Sequence, residues 1–398
     1  MSGSSLFVPP HRFRRGVALT LVFGGVLATG GIAGSWGDEA RNSARTPPRS
    51  AAGSDLANAA ATADRQAVED AAAHASAAGQ SGSQAAEEVV SRSGDRWSAV
   101  YSEREYEDVR QTLDGWYVGV GLWVGSGADG RIDVTRARPG SPAERAGIRA
   151  GDRLLSVDDT PADGMPVTEI VARLRGDGQD ARAGSSVDLV LRRDGRTWRE
   201  TLHRARLAAE SVTDEREADG TTVIRVRSFT KGSGDEVRHA VTRARGGSGV
   251  LLDLRGNSGG LVSEAVTAAS AFLDGGLVAT YDVRGEERSL YARKGAVDTR
   301  TPLVVLVDSG TMSSAELLTG ALQDRGRAVV VGTRTFGKGS VQMPEELPDG
   351  SVAELTVGHY RTPSGRAVDG RGITPDLVAR ERAVERAGTV LTGLGGGS

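Results

Sequence analysis

The run Leu303 to Asp308, reading LVVLVD, constrains the fold more than any other stretch of this 398-residue chain. Successive residues of a strand face opposite sides of a sheet, so a strand with no polar alternation must be covered on both faces, as in a parallel sheet flanked by helices. The run ends in a turn at Ser309-Gly310. From Ser314 the period changes, with Leu317, Leu318, Ala321 and Leu322 at helical spacing and Gly326 where a C-terminal cap belongs. Further strands are expected at Thr222 to Phe229, Val250 to Leu254 and Ala328 to Val331, and a further helix between Val262 and Phe272. This alternation predicts an α/β domain.

Ser313 falls where the buried strand turns into the helix between Ser314 and Asp324. Helix-terminal N–H groups and the positive dipole end favour negative charge developing beside a serine oxygen, which makes this a place for a nucleophile. After the next strand, Lys338 lies between Gly337 and Gly339, which let backbone pack closely around it. A lysine so enclosed can lose its charge and act as a base. Gln342 follows four residues on, a spacing that puts both side chains on one face.

The absence of cysteine excludes thiol catalysis, disulfides and cysteine-ligated zinc. The five histidines, His11, His74, His203, His239 and His359, form no HExxH pair. No metal and no cofactor is expected. A net charge of −3 gives no sign of a nucleic-acid partner.

Together the segments SSAE, GALQD and TFGKGSVQ closely resemble the catalytic core of the carboxyl-terminal processing (tail-specific) proteases. These are serine peptidases with a lysine base and a crotonase-like α/β core. The resemblance implies Ser313 as nucleophile, Lys338 as base and Gln342 as the residue orienting the lysine. It also implies an oxyanion hole built from the N–H groups of Gly259, in the turn Asp253 to Gly260, and of Ser314. Ser258 stands where the family has proline. The implied activity is serine-type endopeptidase; the rival is an inactive exported scaffold.

Gly115 to Arg206 contains short β-rich pieces: Val118 to Val124, Arg131 to Arg136, Arg153 to Val157, Val187 to Arg192 and Trp198 to His203. Ser141-Pro142 reads as the cap and first position of a one-turn helix. GSPAERAGIRAGDRLLSVDD, from Gly140, resembles the PDZ domain of such proteases. A PDZ domain binds a peptide with a free C-terminus as an added strand. By that resemblance Val118, Gly119 and Val120 would hold the tail.

Residues 1–15 are basic, and 16–37 carry no charge over a length that can cross a bilayer, for which about 20 residues suffice. With acidic Asp38-Glu39 following, the charge order places the remainder outside the cytoplasm. The expectation is a single-pass cell-membrane anchor with the catalytic part extracytoplasmic; the alternative is secretion after signal cleavage. Residues 38–63 read as a flexible linker, 64–114 as a helical region, 115–206 as the PDZ domain, 207–385 as the catalytic domain and 386–398 as a Gly-rich tail. In the family the region matching the helices helps to dimerise or forms the substrate arch, and the first of these implies a homo-oligomer. The whole is a multidomain α/β protein.

Two other motifs lead elsewhere. Gly332 to Lys338 fits the start of a phosphate-binding loop, but Gly339 stands where serine or threonine is needed for magnesium. Ser228-Phe229-Thr230-Lys231 satisfies Ser-x-x-Lys without its Lys-Thr-Gly companion.

Overall fold

The computed structural model describes residues 62–127, 129–176, 182–283 and 286–395. The anchor segment at 16–37 and nearly all of the linker lie outside them. No helix among the described residues is long and apolar enough to cross a membrane.

A six-stranded sheet forms the centre. Its order is Val212–Arg216, Thr221–Val226, Gly249–Asp253, Leu303–Val307, Val329–Gly332 and Leu377–Val378, and only the first pairing is antiparallel. All five residues of Leu303–Val307 are buried, as the unbroken apolar run requires. The pleat divides them between two cores. Leu303, Val305 and Val307 face the core shared with the helices Ser233–Ala244, Val262–Phe272 and Ser314–Asp324. Val304 and Leu306 meet Ala387 and Leu391 of the helix Ala383–Gly395. Residues 386–395 are therefore part of a packed helix where a Gly-rich tail from 386 was expected. Ala387, Val390 and Leu391 repeat at helical spacing and bury an apolar face, which offsets the cost of the glycines, roughly 1 kcal/mol each.

The helices Arg65–Ala77 and Gly82–Ser93 pack on Leu347, Ala353 and Leu355 of a second, five-stranded sheet. Before the helix Glu103–Leu113 the chain adds a strand not foreseen from sequence, Ala99–Tyr101, antiparallel to Val352–Arg361. The strand Ser340–Glu346, and no helix, follows the glycine-rich loop, which removes the phosphate-loop reading.

The β-rich region has its own core around Ile132, Leu154, Ile170, Leu189 and Leu191. Ser141 Oγ accepts from the Glu144 amide at 3.2 Å, and Pro142 occupies the first helical position, as its sequence predicts. The single strand expected from Val118 to Val124 is two. Trp116–Gly119 pairs with Ala205–Ala208, and Leu122–Ser126 pairs with Ile132–Ala137. The break is at Gly121, whose φ of +78° and contact with Ser141, 2.3 Å from where a Cβ would be, suit only glycine.

Candidate active site

Ser313 stands between the central strand Leu303–Val307 and the helix Ser314–Asp324, with φ at +52°. Non-glycine residues pay of order 1–3 kcal/mol for such backbone, so the surroundings must hold it. They do so through the flanking turn: the Met312 amide donates to the Asn257 carbonyl at 2.8 Å and the Phe336 amide to the Thr311 carbonyl at 3.0 Å. The Thr311 hydroxyl donates to the Leu254 carbonyl at 2.9 Å. Gly259 packs on the serine so closely that a Cβ there would lie 2.9 Å from Ser313 Cβ.

Two residues join Ser313 to the Lys338 loop, and neither was given a role by sequence reasoning. Glu316, fully buried in the first turn of the helix, accepts at Oε2 from the Ser313 amide at 3.0 Å and the Lys338 amide at 2.9 Å. Its Oε1 accepts from the Gly337 amide at 2.8 Å and the Thr335 hydroxyl at 2.5 Å. Burial raises the Glu316 pKa above the ordinary carboxyl value, against the pull of these four donors. Tyr360, also buried, points its hydroxyl at the Ser313 carbonyl (2.8 Å) and the Lys338 carbonyl (3.2 Å). The spacing Ser313-x-x-Glu316 is a capping-box pattern and could have drawn attention to Glu316. No local signal points to Tyr360.

Lys338 is enclosed as its glycine neighbours suggest. A Cβ on Gly339 would lie 2.3 Å from the Asp369 amide, and one on Gly337 3.0 Å from that of Gly372. Desolvation lowers the Lys338 pKa, with Glu354 and Asp95 pulling it back up. Its ammonium lies 5.2 Å from the centre of the Trp97 ring. Gln342 is placed elsewhere than on the lysine: its amide donates to Ser340 Oγ at 2.8 Å and Thr356 Oγ1 at 3.3 Å. Lys338 lies in the loop ahead of the strand Ser340–Glu346, so strand alternation does not relate the two side chains.

The two expected oxyanion donors differ. The Gly259 amide is taken up by Asn257 Oδ1 at 2.8 Å. The Ser314 amide, at the first helical position, makes no hydrogen bond among the described residues. Ser314 Oγ is buried without a hydrogen-bond partner, next in the chain to Ser313.

Away from this centre a groove runs between the strand Leu122–Ser126 and the helix Val167–Arg175. Gly119 and Val120 line it; Val118, paired with Arg206 in the two-stranded ribbon, does not.

Comparison with known proteins agrees with both regions. The profile of Peptidase family S41 matches residues 220–379, and that of the PDZ domain matches 134–193. A carboxyl-terminal-processing protease of Picosynechococcus sp. is 33% identical over 308 residues, covering 75% of this chain and 72% of that protein. Carboxyl-terminal-processing peptidase 2 of Arabidopsis thaliana, a chloroplastic protein, is 34% identical over 310 residues, covering 73% of this chain and 59% of its own. A solved structure of the photosystem II D1 C-terminal processing protease is 30% identical, with TM-score 0.49, covering 78% of this chain and 86% of that one. Six of the relatives matched, the Arabidopsis peptidase among them, are spanned for only 58% to 62% of their length.

Proposed function

The chain belongs to the family of carboxyl-terminal-processing proteases, and from that premise we propose that it is an exported serine endopeptidase acting through a Ser/Lys dyad on proteins with free C-termini. One observation carries the reading: Glu316 Oε2 ties the amide of Ser313 to that of Lys338, fixing a strained serine beside a desolvated lysine. Ser313 Oγ attacks the peptide carbonyl, Lys338 takes its proton and returns one to the leaving amine, and water then cleaves the acyl-enzyme. For this the neutral Lys338 side chain leaves the Trp97 face for Ser313 Oγ; catalytic hydrogen bonds often tighten only with substrate bound. The Ser314 amide is the first oxyanion donor, and Gly259 joins it once its amide is released from Asn257. Gln342 acts on the lysine through Ser340 and Thr356.

The domain assignment proposed is 64–114 for the helical region, 115–206 for the PDZ domain and 207–385, extended by the helix to Gly395, for the catalytic domain. Gly119 and Val120 support tail binding in the groove. Residues 16–37 would export the protein, held as an anchor or released by signal cleavage; fractionation and the N-terminus of the mature protein separate these.

The test is cleavage of an unstructured, casein-like substrate. Ser313→Ala and Lys338→Ala should each abolish it, while Ser314→Ala and replacement of each histidine leave most of it. Loss of activity on replacing His239 or His359 would put a histidine in the base's place.

A further inference from the structure

A second cavity lies between the peptide groove and the catalytic domain, and its chemistry is not used by the proteolytic reading. Two arginines line it, Arg175 and Arg227. Among the described residues neither guanidinium makes a hydrogen bond or an ion pair with a carboxylate; Arg175 lies over the Tyr117 ring, 5.2 Å from its centre. Both are partly desolvated, and burial lowers their pKa values. Two further donors on the wall, Trp116 Nε1 and Ser258 Oγ, are buried with no hydrogen-bond partner. The Trp116 ring is in turn covered by the Arg206 guanidinium at 3.6 Å, which adds positive charge behind it.

Most of the other polar groups of the wall are occupied, and Glu210 is within electrostatic reach of Arg227. The hydroxyls of Ser211 and Thr230 bond each other at 2.5 Å, and that of Thr112 donates to the Asp108 carbonyl at 2.9 Å. Glu210, the one carboxylate of the lining, is held by Arg136 at 2.5 Å. Asp108 is within electrostatic reach of Arg175 without pairing with it. What remains unpaired among the described residues is two guanidinium forks, an indole N–H and the hydroxyls of Ser228 and Ser258, and arginine and indole can only donate. Buried donors without acceptors are costly, so this set calls for an anion carrying several acceptor oxygens.

We propose that this cavity is an oxyanion-binding site, distinct from the catalytic oxyanion position, that takes a phosphate or a carboxylate between Arg175 and Arg227. Arg175 and Tyr117 line both this cavity and the peptide groove, while Ser258 immediately precedes Gly259 of the catalytic turn. A bound anion would therefore touch the groove, the helix Glu103–Leu113 through Thr112, and the turn against which Ser313 packs. The anion has two sources of the same chemistry: free inorganic phosphate, or the terminal carboxylate of a protein tail reaching past Gly119 and Val120.

The experiment uses the full chain carrying Ser313→Ala, so that no substrate is consumed. Inorganic phosphate titrated at constant ionic strength should raise Tm saturably, by about 3 °C near saturation. Arg227→Gln, which lies outside the groove, should weaken phosphate binding about tenfold or more, and Trp116→Phe, which keeps the ring under Arg206, should weaken it severalfold. A shift equal to that of chloride alone, or one unchanged in Arg227→Gln, overturns the proposal. Should Arg227→Gln fold poorly, Trp116→Phe and Ser258→Ala give the same reading. A tail peptide then separates the sources. If phosphate weakens binding of the free-carboxylate peptide but not of its amide, the tail supplies the anion; if neither changes, the site takes free phosphate beside an occupied groove. Failure of both peptides to bind, with the Arg227-dependent phosphate shift intact, would overturn the groove reading and leave the anion site standing.

Discussion

The backbone amides of Ser313 and Lys338 both donate to one atom, Oε2 of Glu316, at 3.0 and 2.9 Å. The turn of Ser313 and the loop of Lys338 are thereby positioned by a carboxylate that itself cannot reach solvent. Glu316→Gln keeps the shape but offers an NH₂ group to N–H donors, leaving at least one of them unpaired. The expected cost is about 3 kcal/mol of stability and a fall of about 100-fold or more in kcat/KM. Thermal melts and peptide cleavage measure the two. Normal kcat/KM with a lowered Tm would make Glu316 a purely structural residue.

Tyr360→Phe removes one hydroxyl from between the Ser313 and Lys338 carbonyls. The Ser313 carbonyl keeps the Glu316 and Leu317 amides at 2.8 and 3.0 Å, but the Lys338 carbonyl loses the hydroxyl, which costs about 1–2 kcal/mol. Because the hydroxyl contacts only backbone at the site, kcat should fall about tenfold with KM little changed. A change confined to KM would place Tyr360 in substrate binding instead.

Gly259→Ala would set a methyl 2.9 Å from Ser313 Cβ and 3.1 Å from the Met312 carbonyl, at a φ of +99° that alanine resists. Neither the serine nor the Met312 backbone can yield without moving the nucleophile. Cleavage should be lost, and stability should drop by about 1–3 kcal/mol. Retained activity in this variant would remove Gly259 from the surroundings of the reacting carbonyl.

The parts of this fold governed by local pattern were legible in the chain. Leu303–Val307 reads as a strand buried on both faces because nothing polar interrupts it, and the helix after it begins at Ser314 as its period predicts. Contacts that join distant segments were not. Tyr360 is 47 residues from Ser313, and no spacing rule connects them. Trp97 meets Lys338 only because the N-terminal helices and the strand Ala99–Tyr101 dock on the second sheet. Gln342 was related to Lys338 by a four-residue spacing, but Lys338 lies in the loop ahead of the strand Ser340–Glu346, and a regular spacing does not carry across that boundary. The Gly-rich composition after Arg386 concealed a helix whose apolar face is complete without those glycines.

Tail binding has its own check in the groove lined by Gly119 and Val120. Among the described residues the Val120 and Gly121 amides make no hydrogen bond, so a terminal carboxylate would find donors there. Amidating a substrate's C-terminus should therefore slow its cleavage about tenfold, mainly through KM. Equal rates for free and amidated tails would remove the groove from substrate recognition.

The last expectation concerns the charge of Lys338. Burial lowers its pKa in the folded protein, and Glu354 and Asp95 only partly restore it, whereas in the unfolded chain it titrates near the reference of about 10.4. Cleavage should then rise with pH through the lowered pKa and fall on the acid side as the lysine protonates. For stability, the unfolded chain binds more protons at this site between the two pKa values, so stability increases with pH across that window. The destabilising contribution is full below the folded pKa and vanishes above the unfolded one. Lys338→Met keeps the length without a charge to desolvate; it should be inactive, yet at least as stable as wild type at neutral pH, with its advantage shrinking in alkali. Loss of the ammonium over Trp97 works against this by about 1 kcal/mol, less than desolvating a lysine costs. Paired melting curves from neutral to alkaline pH decide it. A variant that melts clearly lower at neutral pH would mean that Lys338 is held charged by Glu354 and Asp95, and Ser313 would lack its base.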